Sequence, residues 1–189
     1  ILSDYVVVFK EYGIYLLTGP TGGTQSIIER SKSVGACSQR SIASNENYLL
    51  FQANDGHVYS FDTVNVIKQS EIIQGSIDNV NTTQLTKSNS AIYEEKGKKY
   101  ILNYASGTST TPDATLVLDL DRSAIGSQNY NEKVWLPWDG ISSSVMVVYS
   151  DSGREKLYFG EATSDSKFYL MFSGTNDNGV AIDSYYETK

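Results

Sequence analysis

Short runs of apolar, β-branched and aromatic residues alternate with polar bends along the chain. Four pairs of these runs flank a bend that contains glycine, and each pair predicts a β-hairpin. The hairpins cover residues 6–17, 48–61, 91–102 and 147–159, with bends at Gly13, Gly56, Gly97 and Gly153. A glycine adopts a positive φ at a bend without steric cost. No segment sustains a helical apolar period, so the pattern predicts an all-β fold.

Four further strands are predicted between the hairpins, at residues 25–30, 64–67, 114–120 and 167–172. A hairpin with one strand on each side would form a four-stranded sheet. The bend glycines are 43, 41 and 56 residues apart, close to the roughly 40 to 50 residues of a β-propeller blade. Polar loops at 105–113 and 123–131 account for the longest interval. We therefore predict a β-propeller of about four blades, or an arc of a larger propeller, with a β-sandwich as the alternative fold.

Composition excludes most familiar catalytic designs. The 189 residues include 15 Lys and Arg against 22 Asp and Glu, and the net charge of −7 argues against a surface that grips nucleic acid. Cys37 and His57 are the only residues of their types, so disulfides, four-thiolate zinc sites and multi-histidine metal sites cannot form within one copy. The apolar runs are far shorter than the roughly 20 residues of a membrane-spanning helix. We expect one domain with no enzymatic activity, cofactor, bound metal or membrane contact.

Three stretches resemble a known repeat. Residues 8–19, 35–42 and 54–62 are similar to the propeller repeat of bacteriophage virion proteins of the tail-hub, head-to-tail connector and packaged-DNA stabilisation types. His57 departs from that repeat, which usually has an apolar residue after the bend glycine. The resemblance implies a structural protein of the virion, assembled in the bacterial cytoplasm. Its partners would be other virion proteins and copies of itself in a ring, without sequence-specific binding of nucleic acid.

The two ends of the chain suggest a larger parent protein. The sequence begins without Met, and its last residues, 182–189, alternate like a strand that stops without a tail. We therefore expect the segment to be part of a longer chain. A propeller adaptor encoded by a cellular genome is a further alternative to the virion protein.

Trp135 and Trp138 flank Leu136 and Pro137 and are the candidate ligand-stacking residues. Aromatic rings near a loop can stack on sugars, which gives the alternative function: a carbohydrate-binding or carbohydrate-cleaving propeller of a host-recognition or cell-surface protein, with a host glycan as partner. The interpretation that we favour is that the two rings fill gaps between blades.

Single reactive residues are assigned ordinary roles. His57 follows a hairpin bend and is expected to be solvated, and Cys37 is expected to be a buried thiol. Asp119 and Asp121 are predicted to share one face of a strand, and Asp177 lies in a polar bend, so each could contribute to a cation site. A solvated strand face and a solvated turn are the interpretations that we favour.

Overall fold

The protein is all-β in the computed structural model, which describes residues 2, 5–19, 23–162, 167–173, 176–177 and 180–181. Within these ranges the chain forms four successive antiparallel sheets and one short two-stranded hairpin. Neighbouring strands in each sheet are consecutive in the chain, so each sheet is a meander. The predicted all-β class is confirmed.

The four sheets follow one another in chain order. The first contains β1 (Val6–Lys10), β2 (Gly13–Thr18) and β3 (Ser26–Ser31). The second contains β4 (Ala43–Ser44), β5 (Leu49–Gln52), β6 (Val58–Phe61) and β7 (Val66–Lys68). The third contains β8 (Asn89–Tyr93), β9 (Lys99–Tyr104), β10 (Ala114–Asp119) and β11 (Trp135–Trp138). The fourth contains β12 (Ser143–Asp151), β13 (Arg154–Glu161) and β14 (Phe168–Leu170), and it is followed by the hairpin of β15 (Asn176–Asp177) and β16 (Val180–Ala181).

All four predicted hairpins are present, as β1–β2, β5–β6, β8–β9 and β12–β13. The prediction that each has one flanking strand on either side is correct for the second sheet only. Gly56 joins the second and third strands of its sheet, whereas Gly97 and Gly153 join the first and second strands of theirs. The bends therefore occupy different positions in their sheets, and the spacing of the glycines does not measure one repeat.

The bend glycines serve two different purposes. Gly56, Gly97 and Gly153 have positive φ angles of 81°, 83° and 77°, as predicted. Gly13 does not adopt a positive φ, because the bend consists of residues 11–12 and Gly13 is already the first residue of β2, paired with Lys10. Glycine leaves space there, since a Cβ would lie 2.9 Å from the ring of Tyr15 and 3.3 Å from the carbonyl oxygen of Ser31.

Residues 71–87 form helical turns that the apolar pattern does not predict. They comprise 3-10 turns at Glu71–Ile73 and Thr82–Lys87 and one α-helical turn at Gln74–Ile77. Each turn is too short to show a helical period. The segment nevertheless contributes the buried side chains of Ile77, Val80 and Leu85 to the core between the second and third sheets.

Three hydrophobic cores lie between the four sheets, one between each sheet and the next sheet in the chain. The core between the first and second sheets includes Ile14, Leu16, Leu49, Phe51, Tyr59 and Phe61. The core between the second and third includes Leu50, Val58, Tyr100, Leu102, Leu116 and Leu118. The core between the third and fourth includes Tyr93, Ile101, Val117, Met146 and Leu157. Successive strand residues alternate between the faces of a sheet, so the second and third sheets are buried on both faces.

Candidate functional site

The first strands of the second, third and fourth sheets come together around a polar junction. Strand β8 contacts both β4 and β12. Ser38 Oγ donates to the carbonyl of Ser88 at 2.6 Å, and Ser90 Oγ donates to the carbonyl of Arg40 at 3.5 Å. The Arg40 guanidinium donates through Nη1 to the carbonyl of Ser144 at 3.1 Å. Hydrogen bonds thus join the segments that begin three successive sheets, between residues 50 to 104 positions apart in the chain.

A short turn positions Arg40 at this junction. Residues Gln39–Ser41 form one 3-10 turn, whose N-cap is Ser38. The Ser38 hydroxyl accepts a hydrogen bond from the backbone N–H of Arg40 at 3.2 Å, as an N-cap serine does. The turn is anchored on its other side by the Ser41 hydroxyl, which donates to the Ser38 carbonyl at 2.8 Å. The backbone of Arg40 is therefore fixed, while its exposed side chain extends to the fourth sheet.

Buried amide side chains connect the third and fourth sheets beside this junction. Asn89 Nδ2 donates to the carbonyl of Ser143 at 2.8 Å, and the Ser143 hydroxyl lies 2.8 Å from Asn89 Oδ1. Asn103 Oδ1 accepts from the backbone N–H of Ser143 at 2.9 Å, and its Nδ2 donates to the carbonyl of Ile141 at 2.8 Å. The network satisfies backbone groups of the segment that leads into β12. It therefore fixes the position of the fourth sheet on the third.

An open cleft of about 510 Å³, lined by both polar and apolar atoms, lies next to the junction. Its lining comprises Ser38, Gln39, Arg40, Thr86, Lys87, Thr111, Pro112, Ser144 and Ala162. The cationic side chains in this lining are Arg40 and Lys87, and the lining contains no carboxylate. Lys87 Nζ donates to the carbonyl of Thr110 at 2.5 Å. The lining can offer cationic and neutral donors to a polar or acidic surface, but it contains neither a histidine nor a carboxylate to act as a base.

His57 lies inside the protein, so the prediction that it is solvated is wrong. It is 7% exposed, and its Nδ1 lies 2.9 Å from the hydroxyl of Ser70. Burial lowers the pKa of His57, and the charge of Lys68 acts in the same direction. The Ser70 hydroxyl is fully buried and also accepts from the backbone N–H of Val58 at 3.0 Å. This serine and histidine pair therefore holds the start of β6 to the segment that follows β7, and it is closed to a substrate.

Asp55 does not complete a catalytic triad with this pair. Its Oδ2 accepts the phenol O–H of Tyr59 at 2.7 Å, and its Oδ1 accepts the backbone N–H of His57 at 3.1 Å. Burial and this carboxylate together raise the pKa of Tyr59. The carboxylate is therefore committed to the hairpin bend and does not orient the imidazole ring, as a triad requires.

The thiol of Cys37 is not activated. It is half-buried beside the core between the second and third sheets. Burial raises the pKa of Cys37, and the carboxylates of Glu11 and Asp55 raise it further. A nucleophilic thiolate needs the opposite shift, because only the deprotonated sulfur attacks.

The candidate cation ligands are used to fix loops. Asp119 Oδ1 accepts from the backbone N–H of Arg122 at 3.1 Å, and Asp121 Oδ2 accepts from the backbone N–H of Lys98 at 2.8 Å. The side chain of Asp177 is not among those that the structure describes, so its possible part in a cation site remains a prediction. No group of three or more His, Cys, Asp and Glu side chains that could hold a metal ion occurs in the described part of the chain.

Trp135 and Trp138 pack on opposite sides of β11. Trp135 lies against the core between the second and third sheets, and its indole N–H donates to the carbonyl of Gln69 at 2.9 Å. Trp138 lies against the core between the third and fourth sheets, with its ring centroid 5.7 Å from that of Phe172. The two rings are therefore not assembled into one stacking surface.

Comparisons with known proteins do not assign a family. No protein-family model matches the chain, and no curated protein matches it. Over the residues that the structure describes, no helix has the length and apolar character needed to span a membrane. The function must therefore be argued from the arrangement of the sheets and their surfaces.

Proposed function

We propose that this chain is a propeller-type scaffold of a bacteriophage virion, in a tail, tail hub or head-to-tail connector, which acts through protein contacts and without catalysis. The observation that carries the proposal is the stacking of four meander sheets through three successive cores. A stack of this kind presents sheet faces and loop clusters to neighbours. Among the described residues, the cleft beside Arg40 is open, unlike the enclosed, mostly apolar pocket that an enzyme usually offers to a small substrate.

The burial pattern supports a propeller arrangement over a β-sandwich. A sandwich has one core between two sheets, so each sheet has one buried and one solvated face. Here β5 and β6 are buried at every position, because the second sheet lies between two others. The contacts of β8 with β4 and β12 also suit a propeller, in which the first strands of successive blades surround the axis.

The titratable side chains support a role without catalysis. In the described ranges, His57 is bonded to a buried serine, and burial raises the pKa of Cys37. Asp119 and Asp121 accept backbone N–H groups in loops. These side chains stabilise local structure, and none of them pairs a base with an accessible nucleophile.

The virion assignment is supported by the similarity of residues 8–19, 35–42 and 54–62 to the propeller repeat of phage virion proteins. The net charge of −7 suits a component near packaged DNA, because like charge reduces adhesion to passing phosphates. In this role the protein would be assembled in the bacterial cytoplasm and would contact other virion proteins and copies of itself.

Mass spectrometry of purified particles tests this assignment. Particles of the virus whose genome encodes the chain would be banded on a density gradient and digested with trypsin. We expect peptides of this chain at a fixed ratio to the major capsid protein. Their restriction to the unassembled fraction of the lysate would contradict a role in the virion.

A carbohydrate-binding function is the alternative that the sequence suggested through Trp135 and Trp138. Both rings pack against cores, so no observation in the described structure favours it. A glycan array probed with the purified chain separates the two functions. A sugar-specific signal that is lost in a folded Trp135→Phe variant would replace our proposal with the carbohydrate function.

A further inference from the structure

The outer face of the first sheet is apolar and exposed. Residues that are paired across antiparallel strands share a face, so Val6, Val8, Tyr15 and Leu17 lie on the side opposite to the buried Ile14. Val6 and Val8 are 44% and 43% exposed. Ile27 on β3 is paired with Leu17 on the same face and is 73% exposed. We call this surface the leading face.

The outer face of the fourth sheet has the same character. The strand pairing places Val145, Val147, Tyr149, Tyr158, Phe168 and Leu170 on one side. Val147 is 50% exposed, Tyr149 60% and Phe168 73%. The opposite side contains Met146 and Leu157, which are buried against the third sheet. We call the exposed surface the trailing face.

These two faces repeat the pattern that is covered inside the stack. At each of the three interior interfaces, an apolar face of one sheet packs on an apolar face of the next sheet in the chain. The leading and trailing faces have the same alternation of apolar side chains, but no sheet of the described chain covers them. Exposed apolar patches of this kind usually mark protein interfaces.

Charge within the two faces is sparse. Lys10 and Glu29 share the leading face with the apolar residues, and Lys10 lies 5.1 Å from the ring centroid of Tyr15. Lys156 is paired with Tyr149 on the trailing face, and its ammonium bonds to Asp151 at 2.6 Å. The exposed Arg154 is paired with Asp151 at the end of the same face. These charges are of both signs and are partly neutralised. They therefore do not oppose the packing of one face on the other.

We propose that the trailing face of one copy packs on the leading face of a second copy, which continues the stack of sheets across the subunit boundary. This inference rests on the proposed propeller scaffold and specifies its self-association. The contact is head-to-tail, because two different surfaces meet. Such contacts either close into a ring or continue as a filament. Two copies with four sheets each would complete eight sheets, which lies within the range of about four to eight blades found in propellers.

Mass photometry of the chain from nanomolar to micromolar concentration is the first test. We expect a discrete species of about twice the 20.9 kDa chain mass. Val8→Glu on the leading face and Val147→Glu on the trailing face should each weaken association by about tenfold or more. Val64→Glu is the matched control, because Val64 is 64% exposed and lies on neither face. A chain that stays monomeric throughout, or equal assembly by all three variants, would overturn the proposal.

Cysteine cross-linking tests the head-to-tail geometry without relying on charged variants. In a Cys37→Ser background, Val8→Cys and Val147→Cys chains are prepared separately and mixed with a short bifunctional thiol reagent. We expect a cross-linked dimer in the mixture and little in either chain alone. Efficient cross-linking within one variant would indicate a symmetric contact and exclude this one. Both experiments use the isolated chain, so their failure is distinguishable from the absence of the protein in virions.

Discussion

Arg40 and Ser144 are separated by 104 positions in the chain, yet the Arg40 guanidinium donates to the Ser144 carbonyl at 3.1 Å. This bond joins the turn that precedes the second sheet to the first strand of the fourth sheet. The Arg40 side chain is exposed, so we expect the bond to add less than about 1 kcal/mol to stability. The adjacent buried amides determine how firmly the sheets are held.

Replacing Asn103 with Ala should loosen the fourth sheet. The substitution leaves the buried N–H of Ser143 without its partner, and the carbonyl of Ile141 keeps only the Thr115 hydroxyl, at 3.5 Å. We expect a loss of about 2 to 4 kcal/mol in the free energy of unfolding, since each unsatisfied buried group costs about 1 to 3 kcal/mol. Urea denaturation measures it, with the exposed Asn47→Ala as control. Equal stability of the two variants would show that the network is dispensable.

Glycine substitutions separate steric crowding from backbone conformation. A Cβ at Gly35 would lie 1.9 Å from the carbonyl oxygen of Lys10, so we expect Gly35→Ala to cost about 3 kcal/mol or more or to prevent folding. Gly153 has a φ of 77° and no atom near its added Cβ, and Gly153→Ala should cost about 1 to 2 kcal/mol. Thermal unfolding ranks the variants. Gly126 has neither a crowded Cβ position nor a positive φ, so Gly126→Ala should leave the melting temperature nearly unchanged. A lower melting temperature for Gly126→Ala than for Gly35→Ala would refute this assignment of roles.

Tyr100 should make the fold sensitive to alkali. Its ring is fully buried, its O–H donates to the carbonyl of Ser41 at 3.0 Å, and burial raises its pKa. An unfolded tyrosine ionises near pH 10, so above that pH the unfolded chain binds fewer protons than the folded one and stability falls. We expect Tyr100→Phe to be less stable than the parent at pH 7 but to lose less stability between pH 9 and about 11.

Urea denaturation at each pH measures this difference in slope. The exposed Tyr130→Phe variant should keep the slope of the parent, because Tyr130 is 48% exposed. Parallel pH profiles for Tyr100→Phe and the parent would contradict the prediction.

Lys133 should hold the loop at residues 123–131 in place. The residue is 3% exposed, and its ammonium donates to the carbonyls of Ala124 and Ser127. Methionine has a similar volume but no ammonium group, so Lys133→Met removes both hydrogen bonds. We expect the free energy of unfolding to fall by about 1 to 3 kcal/mol. Hydrogen exchange should also accelerate within the loop. Lys96→Met, at an exposed position, is the control, and unchanged exchange at 123–131 would contradict this role.

The hairpins were predictable because the signals that form them are local. The alternation in β12 and β13 and the Ser152-Gly153 bend all lie between residues 143 and 161, and both bend residues have positive φ angles. The helical turns at 71–87 were not predicted, because the helical spacing of Ile73, Ile77 and Val80 extends over only about two turns and does not continue on either side. Their burial results from contact with sheets that are formed elsewhere in the chain.

The candidate site also combines features that the sequence predicts with features that it does not predict. Trp135 and Trp138 could be assigned to opposite faces only once residues 135–138 were known to form a strand, since side chains three positions apart on a strand face opposite sides. The junction at Arg40 had no local signal. Serine and arginine in a turn are common, and their partners Ser88, Ser90 and Ser144 come from two other sheets.

By itself, the sequence determined that this protein consists of antiparallel strands, where the hairpins bend, and which few chemistries its single histidine and cysteine could support. Side-chain alternation and bend geometry depend on neighbouring residues, so they are already present in the order of the amino acids. Only the tertiary structure decided which faces are covered, that His57 is enclosed, and that three first strands share a junction. The junction depends on contacts between residues 50 to 104 positions apart, and even the contact of His57 with Ser70 joins residues 13 positions apart; no local pattern contains the free energy of such contacts.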